Sequence, residues 1–187
     1  NTRVWLTKLS SKLGRHATLD DIPDFELDNV LPKGFDWVWL LSVWQTGLAG
    51  QNISRTNLEW RKEFEDTLPD LREEDIEGSG FAITGYIVHK NLGGDEALKR
   101  FRERLKTRGL KLMLDFVPNH TAIDHHWVED HPEYYVQGTE DNLTQSPVNY
   151  IQVKSNKKKL VLAHGRDPYF PGWPDTFQLN YGNPETQ

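Results

Sequence analysis

An aspartate, an asparagine and a histidine stand within the six-residue stretch DFVPNH, residues 115–120. A carboxylate accepts hydrogen bonds, an amide donates and accepts them, and an imidazole can do either near neutral pH. The stretch directly follows the apolar-rich run LKLML, so these polar side chains come at the end of a predicted strand. Each of these residue types alone usually has a structural role, but together they predict a ligand site.

The elements around this stretch predict a parallel sheet. Residues 95–108 are predicted to form a helix that Gly109 caps. Residues 4–9 and 111–117 are predicted strands, and residues 35–44 (FDWVWLLSVW) are apolar enough for a strand buried on both faces. Strands that alternate with helices predict parallel crossovers and an α/β fold.

Ligands of parallel α/β folds bind at the carboxyl ends of the strands. Asp115 falls at that end of its strand. Pro118 cannot extend the hydrogen-bond ladder, so it turns the chain outward and offers Asn119 and His120 at the rim. We therefore expect Asp115 and His120 to face one shared cleft.

The chain after His120 is rich in Pro, Gly, Asn, Asp and aromatic residues and predicts an elaborated functional loop. Within it, residues 148–153 and 159–163 are predicted to pair as a hairpin. Earlier in the chain, residues 47–55 (GLAGQNISR) predict a loop and residues 58–68 a short helix.

Composition disfavours several classes of function. The net charge is −6, from 22 basic and 28 acidic residues, which argues against nucleic acid as a partner. The basic residues of the predicted helix 95–108 are interpreted as a solvated face with local ion pairs. There is no cysteine, no apolar run of membrane-spanning length and no visible signal peptide, and the location in the cell stays open.

Four histidines invite a zinc hypothesis: His120, His125, His126 and His131. Their spacing matches neither a helical nor a knuckle pattern, and no Cys accompanies them. We therefore expect no zinc site.

The stretch DFVPNH resembles the first signature of the α-amylase superfamily, glycoside hydrolase family 13. Other strings follow in the family's order. FDWVWLLSVWQTG resembles the second barrel strand, GFAITGYIVHKNLGG the aromatic segment, EALKRFRERLKTRGLKLMLDFVPNHT the second helix with the third strand, and WPDTFQLNYGNPE a later loop-domain signature. The resemblance covers nearly the whole chain.

The resemblance implies the N-terminal portion of a (β/α)8 TIM barrel with a loop domain inserted after the third strand. Residues 1–119 would supply the first three β/α units, and residues 120–187 the inserted domain, irregular with a hairpin. A complete barrel needs about 250 residues, so the chain is expected to end before the fourth strand.

The resemblance also implies roles for single residues. His120 would hydrogen-bond the sugar at the scissile position, and Phe81 would stack on the same sugar. Asp115 would orient neighbouring groups, typically an arginine, and without that arginine it would be unpaired. Ala82 stands where many exo-acting members carry an Asp that grips a chain end, so such a grip is not supported. Asn119 matches a calcium ligand of many α-amylases, with Asp175 or Asn180 as further oxygen donors, but we favour no metal.

A retaining glycosidase needs a nucleophile and an acid/base carboxyl group. The family's Gly-x-Arg-x-Asp nucleophile string does not occur in these 187 residues. The resemblance thus implies a glycosidase or transglycosidase on α-glucosides whose catalytic carboxylates are missing here, so we expect this chain alone to be inactive. The alternatives are a non-catalytic carbohydrate-binding or scaffold protein and a disaccharide isomerase or synthase. The expected partner is an oligosaccharide or disaccharide, with self-association through exposed barrel edges.

Overall fold

The computed structural model describes residues 1–30, 34–155 and 158–187. The chain divides into two compact units, Asn1–Gln45 with Gly85–Phe116, and Thr46–Thr84 with Val117–Gln187. The helices are α1 (Thr2–Leu13), α2 (Asp24–Val30), α3 (Leu48–Thr56), α4 (Leu58–Thr67), α5 (Gly94–Lys106), α6 (Trp127–Asp130) and α7 (Glu140–Gln145). The strands are β1 (Trp37–Leu40), β2 (Trp44–Thr46), β3 (Ile83–Val88), β4 (Lys111–Leu114), β5 (His120–Ala122), β6 (Gln137–Gly138), β7 (Tyr150–Ser155), β8 (Lys158–Gly165) and β9 (Trp173–Gln178).

The first unit begins with helix α1, so the predicted strand at residues 4–9 is wrong. The Asn1 side chain caps the helix by accepting hydrogen bonds from two of the following backbone amides. Leu6 and Leu9 are buried, and their spacing of three residues places them on one helical face. Gly14 ends the helix in the left-handed conformation, with φ of 66°.

Strands β1 and β4 pair in parallel, as the crossover pattern predicts. The continuous strand predicted at residues 35–44 is interrupted, however, because β1 ends at Leu40 and Ser42 has a left-handed φ of 63°. The prediction that this strand is buried on both faces is also wrong. Trp37 and Trp39 are 50% and 60% exposed, whereas the alternating residues of β1 face the core.

Helix α5 forms close to its predicted bounds. Its stripe of Ala97, Phe101 and Leu105 is fully buried. These residues join one core cluster with α1 and with the segment around Leu19. Gly109 takes a left-handed φ of 74°, which lets the chain turn directly from the helix into β4.

Arginines of α5, and Arg108 shortly after its end, have partners on another element and not only on their own helix. Three Asp residues spaced by four pair with three Arg residues spaced by four, in the same order along the chain. The pairs are Asp20 with Arg100 at 2.7 Å, Asp24 with Arg104 at 2.7 Å, and Asp28 with Arg108 at 2.8 Å. The interpretation of this face as merely solvated is therefore corrected, because the arginines bind the segment that contains α2.

The second unit carries an antiparallel sheet with the order β5-β9-β8-β6. Strand β7 also pairs with β8. The β7–β8 hairpin confirms the predicted pairing, although residues 156–157 of its turn lie outside the described residues. Tyr135, Leu162 and Phe177 form the centre of this unit's core.

The predicted loop at residues 47–55 is helix α3. The local sequence offers no side-chain cap, because the N-cap residue is Gly47. The carboxylate of Asp124 serves instead, accepting a hydrogen bond of 3.0 Å from the Ala49 amide. A capping group 75 residues away cannot be recognised from the local pattern. The next helix, α4, agrees with the prediction for residues 58–68.

The chain is thus a mixed α/β structure, and the residues described contain no closed barrel. None of their helices is long and apolar enough to cross a membrane. The boundary expected at residues 119 and 120 stays a prediction.

Candidate functional site

Asp115 directly follows β4, and its carboxylate is held by two donors of the first unit. One oxygen accepts a hydrogen bond of 2.9 Å from Trp39 Nε1, and the other accepts one of 2.6 Å from the Ser42 amide. The backbone carbonyl of Asp115 accepts a third bond, of 2.8 Å, from Trp44 Nε1. The carboxylate is therefore paired without an arginine, by an indole and a backbone amide.

The bond to Ser42 stabilises an unusual backbone conformation. Ser42 is buried and has φ of 63°, a region that costs a non-glycine residue about 1–2 kcal/mol. Its amide would lack an acceptor without Asp115. Asp115 consequently fixes the turn that separates β1 from β2.

His120 begins strand β5, whereas the sequence predicts a loop position at a rim. The residue pairs with Gln178 across β9 and is only 8% exposed. Trp173, on the same β9 strand, places its ring edge-on to the imidazole, with the centroids 5.3 Å apart. Gly165 is also close, since a Cβ atom at this position would approach the His120 Cβ to 2.8 Å. The imidazole therefore sits in a closely fitting aromatic and backbone environment.

Both ring nitrogens of His120 have partners. Nδ1 lies 3.1 Å from Asn119 Nδ2, and since an amide nitrogen only donates, Nδ1 accepts. The neutral ring then carries its proton on Nε2, which donates to the backbone carbonyl of Phe81. A sugar hydroxyl that bound here would share this proton with Phe81 or take it over.

Burial lowers the pKa of His120, and the bond to the Phe81 carbonyl only partly opposes this effect. The imidazole is therefore neutral at pH 7. A neutral ring suits hydrogen bonding to a hydroxyl, which needs no counter-charge.

Asn119 holds its position through Gln178. The Gln178 amide nitrogen donates to Asn119 Oδ1 at 2.9 Å and to the Asn119 backbone carbonyl at 2.8 Å. The Asn180 side chain, a further oxygen donor considered for calcium, accepts a bond of 3.0 Å from the Gly182 amide. The oxygens expected to bind a cation thus already accept protein hydrogen bonds.

Asp175 is 3% exposed and faces helix α3. A Cβ atom on Gly50 would meet the Asp175 side chain and the methyl group of Ala82 at 3.5–3.7 Å. Burial raises the pKa of the Asp175 carboxyl group. Burial thus disfavours the charged carboxylate, which is the form that binds calcium.

The other histidines of the zinc hypothesis form a ring cluster. His125 stacks on His126 at 4.5 Å and accepts a bond from the Trp127 amide through Nδ1. His131 stacks on Tyr134. Within residues 1–30, 34–155 and 158–187, no group of three or more His, Cys, Asp or Glu side chains is arranged to hold a metal ion.

Sequence reasoning missed the partners that fix these groups. These partners are Trp39 and Ser42 for Asp115, and Gln178 and Trp173 for His120, and each is at least 53 residues away in the chain. The string WPDTFQLNY identifies Trp173 and Gln178 as part of a family motif, but it does not predict that they lie beside His120. No motif predicts that Trp39 and Ser42 bind Asp115.

The mixed α/β fold and the buried, aromatic surroundings of His120 can now be compared with known proteins. The family model described as "Alpha amylase, catalytic domain" matches residues 54–178, more than half of the chain. The chain therefore belongs to the α-amylase family, as the resemblance of its motifs predicts.

Two relatives and one solved structure illustrate the match. The α-1,4-glucan:maltose-1-phosphate maltosyltransferase of Salinibacter ruber is 33% identical over 68% of this chain and 19% of its own length. An amino acid transporter heavy chain of Homo sapiens is 26% identical over 96% of this chain and 24% of its own length. A mutant isomaltulose synthase from Erwinia rhapontici, solved with sucrose, superimposes with a TM-score of 0.58 at 21% identity, over 91% of this chain and 27% of that chain.

This chain spans a quarter or less of the length of both relatives. The structural match, at this low identity, establishes the fold alone. The activity of the whole protein is therefore a proposal.

Proposed function

We propose that the natural protein acts on α-glucosides as a retaining glycosidase or transglycosidase, to which this chain contributes the sugar-holding part. Membership of the α-amylase family supports the reaction class. The name of the maltosyltransferase relative supports an α-glucan substrate. The observation that carries the proposal is the neutral, buried imidazole of His120, bonded to Phe81 and flanked by Trp173.

In this proposal His120 and Phe81 bind the sugar. His120 donates from Nε2 to a hydroxyl, and the 39% exposed ring of Phe81 offers an apolar face to the sugar's C–H groups. Asp115 has a structural role within the first unit, where it fixes the turn at Ser42. We keep residues 120–187 as a loop domain inserted after the third barrel strand, as the family resemblance implies.

The proposal assigns neither catalytic carboxylate to a residue of these 187. No Gly-x-Arg-x-Asp string occurs in the chain. We therefore expect the 187 residues by themselves to show no glycosidase turnover, and robust turnover of an α-glucoside by the purified chain would contradict this.

The proposal assigns no metal. Asn119 Oδ1 is bonded to Gln178, and the carboxyl group of Asp175 is buried with a raised pKa, so these groups fit a calcium ion poorly. Self-association is a separate expectation, because the exposed indoles of Trp37 and Trp39 lie side by side on one face of β1.

The alternative of a non-catalytic amylase-like protein draws on the transporter heavy chain among the relatives. It is not favoured, because the maltosyltransferase matches at higher identity, 33% against 26%. Saturable sugar binding without turnover by the natural protein would reverse this preference. Product analysis with maltose and sucrose separates a hydrolase from an isomerase or synthase.

The test uses the full-length natural protein and its His120→Ala variant, with His126→Ala as the matched control because His126 is exposed. The loss of one hydrogen bond to the sugar is worth about 1–2 kcal/mol, so kcat/KM for a maltooligosaccharide falls about five- to thirtyfold in His120→Ala. The control stays within about twofold of the wild type. A wild-type protein without α-glucoside turnover, or an unchanged His120→Ala variant, would overturn the proposal.

A further inference from the structure

The loop that connects β8 to β9, residues 166–172, begins and ends next to residues that contact His120. Gly165 and Trp173, which flank it, are partners in the β8–β9 register. Both also contact His120, Trp173 through its ring and Gly165 through its close backbone approach. The base of this loop, called here the aromatic loop, is therefore part of the wall around the imidazole.

The aromatic loop is fixed at both ends. The Arg166 amide donates to Gln178 Oε1 at 3.2 Å, and the Gly172 amide donates to Asn149 Oδ1 at 2.9 Å. Gly172 is required at its position, since a Cβ atom would approach the His164 Cβ to 2.7 Å. These anchors hold one end of the loop against β9 and the other against the turn that precedes β7.

The apex of the loop is ordered by its own residues. Asp167 accepts a hydrogen bond of 2.9 Å from the Tyr169 amide through its side chain. Pro168 and Pro171 restrict the backbone on either side of the aromatic pair. Little conformational entropy remains to be lost when a ligand binds here.

Two consecutive aromatic side chains stand at this apex, exposed to solvent. Tyr169 is 89% exposed and Phe170 is 64% exposed. Phe170 is three residues from Trp173, so their Cα atoms are at most about 11 Å apart. The aromatic pair is thus within the span of a short oligosaccharide from the imidazole of His120.

We propose that Tyr169 and Phe170 form an additional sugar-stacking subsite, which binds a further glucosyl unit of the substrate whose scissile unit contacts His120. This inference rests on the proposed function and adds to it a preference for longer substrates. The aromatic faces contact the C–H faces of the sugar ring, and the exposed guanidinium of Arg166 donates to its hydroxyl groups.

A sugar fits this surface better than a protein partner does. Two aromatic side chains offer roughly 150–250 Å² each, which is about half of the roughly 800 Å² that a stable protein interface needs per partner. Two aromatic side chains are enough to contact the two faces of a single sugar ring.

The test compares the full-length natural protein with its Tyr169→Ala, Phe170→Ala and doubly substituted variants. Phe25→Ala is the matched control, because Phe25 is 63% exposed on helix α2. The substrates are p-nitrophenyl α-glucoside, with one glucosyl unit, and maltoheptaose. We expect the double variant to raise KM for maltoheptaose about tenfold, which corresponds to about 1.4 kcal/mol for the two rings together, and to leave KM for the nitrophenyl glucoside unchanged.

The outcomes separate the two proposals. Wild-type turnover combined with an unchanged KM of the double variant for maltoheptaose, or with an equal rise for both substrates, overturns the subsite alone. A wild-type protein that turns over neither substrate overturns the proposed function together with the subsite. If the double variant changes the molecular mass by light scattering and leaves KM unchanged, the aromatic pair is a contact between protein chains and the subsite proposal is wrong.

Discussion

Asp115 and His120 are five positions apart in the sequence, yet their surroundings are of opposite kinds. Each oxygen of the Asp115 carboxylate accepts a hydrogen bond from a donor of the first unit. The His120 imidazole is neutral and buried in the second unit, where its pKa is lowered. The two residues therefore have different roles. The Asp115 carboxylate fixes the backbone and is called here the anchor. The neutral imidazole of His120 can donate its one N–H to a ligand.

The largest effect should come from removing the anchor. Asp115→Ala leaves the Ser42 amide and Trp39 Nε1 without an acceptor while Ser42 keeps its left-handed backbone. We expect the free energy of unfolding to fall by about 3 kcal/mol in urea titrations, because bonds to a charged group contribute about 1.5–3 kcal/mol each.

The exposed Asp70 provides the matched control, and Asp70→Ala should change the free energy of unfolding by less than about 0.5 kcal/mol. Asp115→Asn, which keeps one acceptor oxygen, should fall between the two. A loss below about 1 kcal/mol for Asp115→Ala would show that the carboxylate does not act as an anchor.

The second prediction concerns the neutral histidines of the second unit. Burial lowers the pKa of His125 to about 4, and it also lowers the pKa of His120 and His164. The unfolded chain therefore binds more protons below pH 6.5 than the folded chain does, so stability is present above that pH and is lost as the pH falls towards 4. For His125 alone, the loss between pH 7.5 and pH 5 is about 2 kcal/mol.

His125→Asn tests this loss, because an Asn oxygen can still accept from the Trp127 amide but does not titrate. The difference in unfolding free energy between pH 7.5 and pH 5 should shrink by about 2 kcal/mol in this variant. His126→Asn, at the exposed neighbour, should leave it unchanged. An equal pH dependence in wild type and His125→Asn would contradict the account of buried neutral histidines.

The smallest expected effect distinguishes the two exposed indoles of β1, Trp37 and Trp39. Trp39→Phe removes one donor to Asp115 and keeps most of the apolar surface, so it should cost about 1 kcal/mol. Trp37→Phe, on the same face, removes no bond to Asp115 and should cost less. The midpoints of the two urea titrations give the comparison. A larger loss of stability for Trp37→Phe than for Trp39→Phe would contradict the assignment of the Asp115 hydrogen bond to Trp39.

The sequence predicts helix α5, strand β4 and the β7–β8 hairpin because their signals are local: an apolar stripe, a glycine turn and two alternating runs. It fails at α1, where a short apolar run fits both a strand and a helix, and at α3, where the capping carboxylate of Asp124 is distant in the chain. Asp115 and His120 are recognised from their motif. The donors that hold them are not, since hydrogen bonds to Trp39 or Phe81 depend on tertiary packing.

The proposal that His120 binds a sugar is tested by a crystal structure of the full-length natural protein with an unreacted maltooligosaccharide. We expect a sugar hydroxyl within about 3 Å of His120 Nε2, with the Phe81 ring against the same sugar unit. A well-ordered sugar bound elsewhere, with His120 Nε2 still bonded only to the Phe81 carbonyl, would contradict it.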